Sequence, residues 1–143
     1  MRSGFLIFVL VANVVWFGAA FEFFSLRPRR AVRILIPRSA ENETSAQSLI
    51  AGMPFLGGFN LAFAILSATF LFSFAYSHAA PPPWQVYAAC AVAHATQWAT
   101  NVPHALRGGR SGGAPWDVMR GLMLFIFIVD GACALLNAVA TVI

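Results

Sequence analysis

Apolar residues run through this chain in four long blocks, with short polar stretches between them. The blocks are Gly4–Phe24, Leu49–Tyr76, Trp84–Val102 and Met119–Ile143. Each is about as long as the ~20 residues that a helix needs to cross the hydrocarbon core of a bilayer. A backbone in lipid must satisfy its own hydrogen bonds, which leaves helices or a closed barrel. Barrel strands alternate apolar and polar residues over about ten positions. The run Leu122–Val129 (LMLFIFIV) shows no such alternation. The pattern predicts an all-α integral membrane four-helix bundle. It forms a single transmembrane domain over residues 1–143, with loops at 25–48 and 103–118.

Composition agrees with this solvent. Hydrophobic residues make up 59% of the chain and charged residues 10%, against about 25% charged in soluble domains. All nine basic residues are arginine, and the net charge is +4. In a soluble protein that basicity would suggest nucleic acid. Here the arginines border the apolar blocks, so anionic lipid headgroups are the simpler partner, met by Arg27, Arg29, Arg30 and Arg33. The first block has some features of a signal peptide, with Arg2 ahead of it and Gly18-Ala19-Ala20 as a loose cleavage site. Phe21, Phe23 and Phe24 prolong it, and it reads as a retained span.

The arginines also orient the chain. Arg27, Arg29, Arg30, Arg33 and Arg38 follow span one, while Arg107, Arg110 and Arg120 lie between spans three and four. The Ser77–Pro83 turn and the C-terminus carry none, and only Arg2 opposes the bias. The positive-inside rule puts both arginine loops in the cytoplasm and both termini on the external, periplasmic side of a cell inner membrane. Three consecutive prolines, Pro81–Pro83, stop any helix there, and Trp84 suits an interfacial anchor. The Ala31–Ile36 stretch (AVRILI) should lie along the cytoplasmic interface, apolar side down. Ser39–Gln47 reads as a polar, mobile loop. The Asn42-Glu43-Thr44 sequon lies on the wrong side for glycosylation. The glycine-rich Arg107–Pro115 stretch lacks the ending of a phosphate loop and reads as a connector.

Polar residues inside the spans carry the functional information. Span three has His94, Gln97, Asn101 and His104 at spacings of three, four and three, which share one helical face. Trp98 flanks that stripe, and the rest of the span is rich in alanine, so span three is expected to be the most enclosed helix. Span four has Asp130 and Asn137 seven apart. Asp130 lies about 16 Å in from its cytoplasmic end at helical rise, close to mid-bilayer. His94 and Asn60 reach a similar depth, so these three are expected to form one buried cluster, with Asn13 nearer the outside. Nearer the cytoplasm, Glu22 needs a partner in lipid; Arg120 or one of Arg27–Arg30 is the natural choice. Asn13, Asn60, Gln97, Asn101 and Asn137 equally suit interhelical hydrogen-bond glue.

Most named chemistries fail on spacing. A bis-histidine haem needs facing ligands, and only His94 is well placed. Zinc needs three or four close ligands, and no thiol–disulfide motif exists. Cys90 and Cys133 read as small packing residues. No nucleophile-elbow, kinase or dinucleotide fingerprint is present. No cofactor or metal is therefore expected. A buried Asp130–His94 pair could shuttle a proton or hold the polar head of a lipophilic molecule.

In outline the chain resembles the small bacterial four-helix membrane proteins of the DoxX and DUF4345-like group, through Phe55-Leu56-Gly57-Gly58-Phe59-Asn60 and the short arginine-bearing loops. Through Ala93-His94-Ala95-Thr96-Gln97 it also resembles Erg28, a four-helix scaffold for sterol-synthesis enzymes. These resemblances imply that non-enzymatic accessory proteins of this shape are common, and they carry over no functional residue. The leading expectation is an accessory or scaffold subunit that packs with itself or a larger membrane complex, through small faces such as Gly58/Ala62 and Ala134/Ala138. The alternative is a lipophile-binding protein or small membrane enzyme using Asp130, His94, Asn60, Gln97, Asn101 and Glu22. A channel or transporter ranks last, because the two halves do not resemble one another.

Overall fold

A computed structural model describes residues 2–36, 43–76, 80–108 and 116–143 of the chain. All of its regular structure is helical. Helix α1 spans Arg2–Phe21 and continues as one wide π-helical segment, Glu22–Leu26. A short α2 follows at Pro28–Arg33, then α3 at Thr44–Tyr76, α4 at Trp84–Leu106 and α5 at Gly121–Val142. Each long helix covers one apolar block, with shifted ends. Helix α3 begins five residues before Leu49, so Thr44–Gln47, expected in a mobile loop, are helical, and Ala46 is buried. Helix α4 runs past Val102 through Pro103 to Leu106. It ends where Gly108 takes φ +72°, a left-handed position that glycine fills without strain. The expectations for Arg38, Asn42 and His78, and for most of the glycine-rich connector, lie outside the described residues.

Helices α1, α3 and α5 are long and apolar enough to cross a membrane. Helix α4 is not among them, although its 23 residues give it about 34 Å of length. Its polar stripe is what separates it from the others.

The long helices alternate in direction. Leu6, Val9 and Leu10 of α1 pack with Tyr87 of α4 and Ala140 of α5, and Phe70, Leu71 and Phe74 of α3 cover them. The start of α1, the end of α3, the start of α4 and the end of α5 therefore share one end of the bundle. At the other end, Ala31 and Val32 of α2 pack on Met53 of α3, with Phe23, Phe24 and Leu35 around them. The apolar side of the Ala31–Ile36 stretch thus faces the protein, while Arg29 and Arg30 are exposed outside it.

Packing follows sequence neighbours. Helix α1 lies along α3, α4 lies along α5, and the two hairpins meet chiefly through α1 and α5. The backbones of α3 and α4 stay apart. Helix α1 is accordingly the most enclosed helix, which corrects the expectation for α4: Ala89, Ala99 and Trp98 of α4 are exposed. Small residues do allow close approach, but at particular points. A Cβ on Gly57 would meet Ser25 Oγ and, at 2.9 Å, its backbone nitrogen. Gly57 therefore lets the π segment lie directly on α3. A Cβ on Gly131 would lie 2.8 Å from Trp98 Nε1, so Gly131 admits that indole against α5.

Candidate functional site

The centre of the bundle is polar. Asn13, His94, Asp130 and Asn137 are all buried, and they come from α1, α4 and α5. Asn13 and Asn137 exchange two hydrogen bonds: each Nδ2 donates to the other's Oδ1 at 2.8 Å. Asn137 Nδ2 also donates to the Cys133 carbonyl at 2.9 Å. A carbonyl only accepts, so this bond fixes which end of the Asn137 amide is nitrogen. The reciprocal pair then fixes Asn13, whose Oδ1 faces His94 Nε2 at 3.3 Å. Nε2 must therefore carry a proton. The other ring nitrogen, Nδ1, lies 3.3 Å from Asp130 Oδ1, and Trp16 Nε1 donates to that same oxygen at 2.7 Å.

A bare carboxylate beside this neutral imidazole would set two lone pairs against each other at Nδ1 and bury a net charge, so the contact calls for one proton between His94 Nδ1 and Asp130 Oδ1. The pair is either imidazolium with carboxylate or imidazole with carboxylic acid, and it is neutral overall in both forms. Neutrality is what makes it tolerable in an apolar interior. Phe17 lies flat on the imidazole, with ring centroids 4.4 Å apart, and stacks on Phe63 on α3 at 5.0 Å. One atom is left over. Asp130 Oδ2 is buried and has no hydrogen-bond partner among the described residues.

Asp130 also lines a partly enclosed cavity of about 230 Å³ between the last turns of α1 and the first turns of α5. Trp16 and Asp130 lie at its inner end. Glu22, Phe24 and Leu122 lie toward the outer end, and Phe23, Phe125, Ile126 and Gln97 complete the walls. Leu122, Ile126 and Asp130 recur every four residues along one face of α5, a stretch about 12 Å long. The π segment shapes the α1 side. Residues Glu22, Phe23 and Phe24 are consecutive, yet all three line the cavity. An ordinary α-helix spreads three neighbours around most of a turn, whereas a wider turn keeps them closer together.

A second, more open hollow of about 590 Å³ lies between α3 and α4, on the other side of Phe17. Asn60 lines it, together with Gln97, Thr96 and Phe59. Asn60 thus does not join His94 and Asp130, although it lies at a similar depth. Its Nδ2 donates to the Leu56 carbonyl of its own helix at 2.9 Å.

The remaining candidates lie toward the arginine-rich end. Glu22 pairs with Arg27 at 2.6 Å, and Arg120 pairs with Asp117 at 3.7 Å instead. Asn101 is buried; it donates to the Gln97 carbonyl and accepts from Trp116 Nε1 at 2.8 Å. His104 meets the Trp116 ring edge-on at 4.4 Å. The polar stripe of α4 therefore divides: His94 serves the central network, Gln97 lines both hollows, and Asn101 anchors the segment leading into α5. Cys90 and Cys133 are buried free thiols, and among the described residues no group of three or more His, Cys, Asp or Glu side chains could hold a metal ion.

No known protein family, curated protein or solved structure matches this chain. Trp16, Phe17 and the pairing of Asn13 with Asn137 are the parts that sequence reasoning missed. A signal for Trp16 did exist: its indole N–H lies three residues after Asn13, on the same face of α1.

Proposed function

We propose that this protein is a small multi-pass membrane protein that holds one amphiphilic molecule in the α1/α5 cavity. The observation that carries this reading is the conjunction at Asp130. A buried carboxyl oxygen without a donor belongs to a residue lining a cavity whose walls are mostly apolar, Phe23, Phe24, Phe125 and Ile126 among them. Buried polar groups are almost always paired. One left over beside an apolar cavity with a few polar groups is what a binding site for a lipophile requires.

In this reading α4 also crosses the bilayer, its stripe shielded by α1 and α5. Both termini are external, and the membrane is the cell inner membrane. Arg27, Arg29, Arg30 and Arg33, all near the α2 end of the bundle, meet anionic headgroups on the cytoplasmic side. The test is native mass spectrometry of the protein extracted gently with its lipids. The expected result is one discrete small molecule per chain, lost in Ala20→Phe, which fills the cavity without touching the polar network. A chain that carries no discrete molecule under these conditions would overturn the reading.

The scaffold reading keeps one observation in its favour. Gly58 and Ala62 are exposed, and a Cβ on Gly58 would meet nothing within 4 Å. That small-residue stripe faces outward, where a second helix could pack. A stable oligomer disrupted by Gly58→Leu would support it.

A further inference from the structure

We propose that the α1/α5 cavity is selective for a lipid alcohol: a neutral amphiphile whose head donates a hydrogen bond to Asp130 Oδ2. The inference rests on the binding reading above and adds the chemistry of the head. It follows from the proton assignment at the centre of the bundle. Asn137, fixed by the Cys133 carbonyl, fixes Asn13. Asn13 in turn requires a proton on His94 Nε2. The single remaining proton lies between Nδ1 and Asp130 Oδ1. In either neutral form Oδ2 is then a pure acceptor, as one oxygen of a carboxylate or as the carbonyl oxygen of an acid. A proton on Oδ2 would give the buried pair a net positive charge, or set two lone pairs against each other at Nδ1. Neither is acceptable in lipid.

The head that fits must therefore donate. A ketone or ester offers only lone pairs to a lone pair. A carboxylate or phosphate adds like charge, and an ammonium would bring an unbalanced charge to an already neutral pair. A hydroxyl fits without charge, and Gln97, which lines the same cavity, carries an amide that can donate to the hydroxyl oxygen. The apolar walls from Phe125 and Ile126 to Phe23 and Leu122 then receive the first part of the chain, and the remainder continues into surrounding lipid.

Three probes of equal chain length test this: hexadecanol, methyl tetradecyl ketone and palmitate, titrated onto the delipidated full-length protein and read by native mass spectrometry. Hexadecanol should bind at one molecule per chain, at least about tenfold tighter than the ketone, because the ketone leaves the buried acceptor unpaired. Palmitate should be weaker still. Ala20→Phe should abolish hexadecanol binding; if that variant does not fold, Leu122→Trp at the cavity's outer end takes its place. Replacing Asp130 and His94 together by leucine removes the carboxyl and its buried partner at once, so the alcohol-to-ketone ratio in the Asp130→Leu, His94→Leu double variant should fall toward one. Equal binding of alcohol and ketone, both lost on blocking the cavity, would overturn the alcohol assignment and leave the cavity as a binding site. An unchanged ratio in the Asp130→Leu, His94→Leu double variant would overturn the role of Oδ2. If no probe binds, or if binding survives the blocked cavity, both proposals fail and Oδ2 is simply hydrated.

Discussion

Two hollows flank Phe17, and they differ in what their polar residues have left to offer. The α3/α4 hollow is the larger and more open. Its Asn60 donates to Leu56 and its Thr96 hydroxyl donates to the Ala93 carbonyl, both within their own helices. The α1/α5 cavity is smaller and more enclosed, and its Asp130 keeps one oxygen free after serving Trp16 and His94. A polar residue at mid-bundle depth therefore does not by itself mark a site. What marks one is a fully buried polar atom whose hydrogen-bonding capacity the fold has not taken up, as Asp130 Oδ2 is; the half-buried Gln97 lines both hollows and does not separate them.

This contrast can be broken by substitution. The largest effect is expected from Asp130→Ala, which strands the Trp16 indole and the His94 imidazole in the interior. Losing one partner of a buried charged pair typically costs about 3–5 kcal/mol, and equilibrium unfolding in bicelles should show it. A loss below about 1 kcal/mol would mean that water already serves these groups. Next comes Gly57→Ala, where the new methyl presses on Ser25 and lifts the π segment from α3. Overpacking of this kind costs about 1–3 kcal/mol, and ligand occupancy of the α1/α5 cavity should fall with it. Unaltered occupancy would show that the π turn does not shape the cavity.

Asn137→Leu removes the amide pair that orients Asn13 and, through it, His94. Unfolding should register roughly 1 kcal/mol. The more telling readout is the His94 ring nitrogen signal in nitrogen NMR, which should lose its fixed protonation at Nε2. The smallest effect is expected from Asn60→Leu. Its amide serves only its own helix, so stability should change by less than about 0.5 kcal/mol, with cavity binding unchanged. A large loss of binding in Asn60→Leu would erase the distinction between the two hollows.

The sequence made the helices legible because each apolar block is long and its breaks are chemically sharp. Pro83 caps the start of α4, directly after the run Pro81–Pro83. The ends were less legible where polar residues continue a helix, as Thr44–Gln47 do. Depth was legible too: counts of residues alone put Asp130, His94 and Asn60 at one level with Asn13 nearer the outside, and His94 does meet Asp130. Azimuth was not. Whether Asn60 or Asn13 faces His94 depends on how each helix is rotated and on which neighbours actually pack, and α3 is kept from α4 by the intervening Phe17. The π segment was invisible because nothing in Glu22-Phe23-Phe24-Ser25-Leu26 distinguishes a wide turn from an ordinary one, and the room it uses is left by Gly57, far along the chain on α3. Glu22 was correctly given a choice of arginines, and its own segment supplied the one it uses, Arg27.

The division into two hairpins has a consequence for synthesis. Chains are made from the N-terminus, and early segments begin to fold before later ones exist. The α1/α3 hairpin is complete, with its apolar seam closed, while Asn13 and Trp16 still lack Asn137 and Asp130, which arrive more than a hundred residues after them. Until then a newly inserted chain shows the lipid an unpaired amide and an unpaired indole, and both are covered only when the second hairpin docks. A truncated or stalled product carries that mark indefinitely, so the polar network distinguishes a finished chain from an unfinished one.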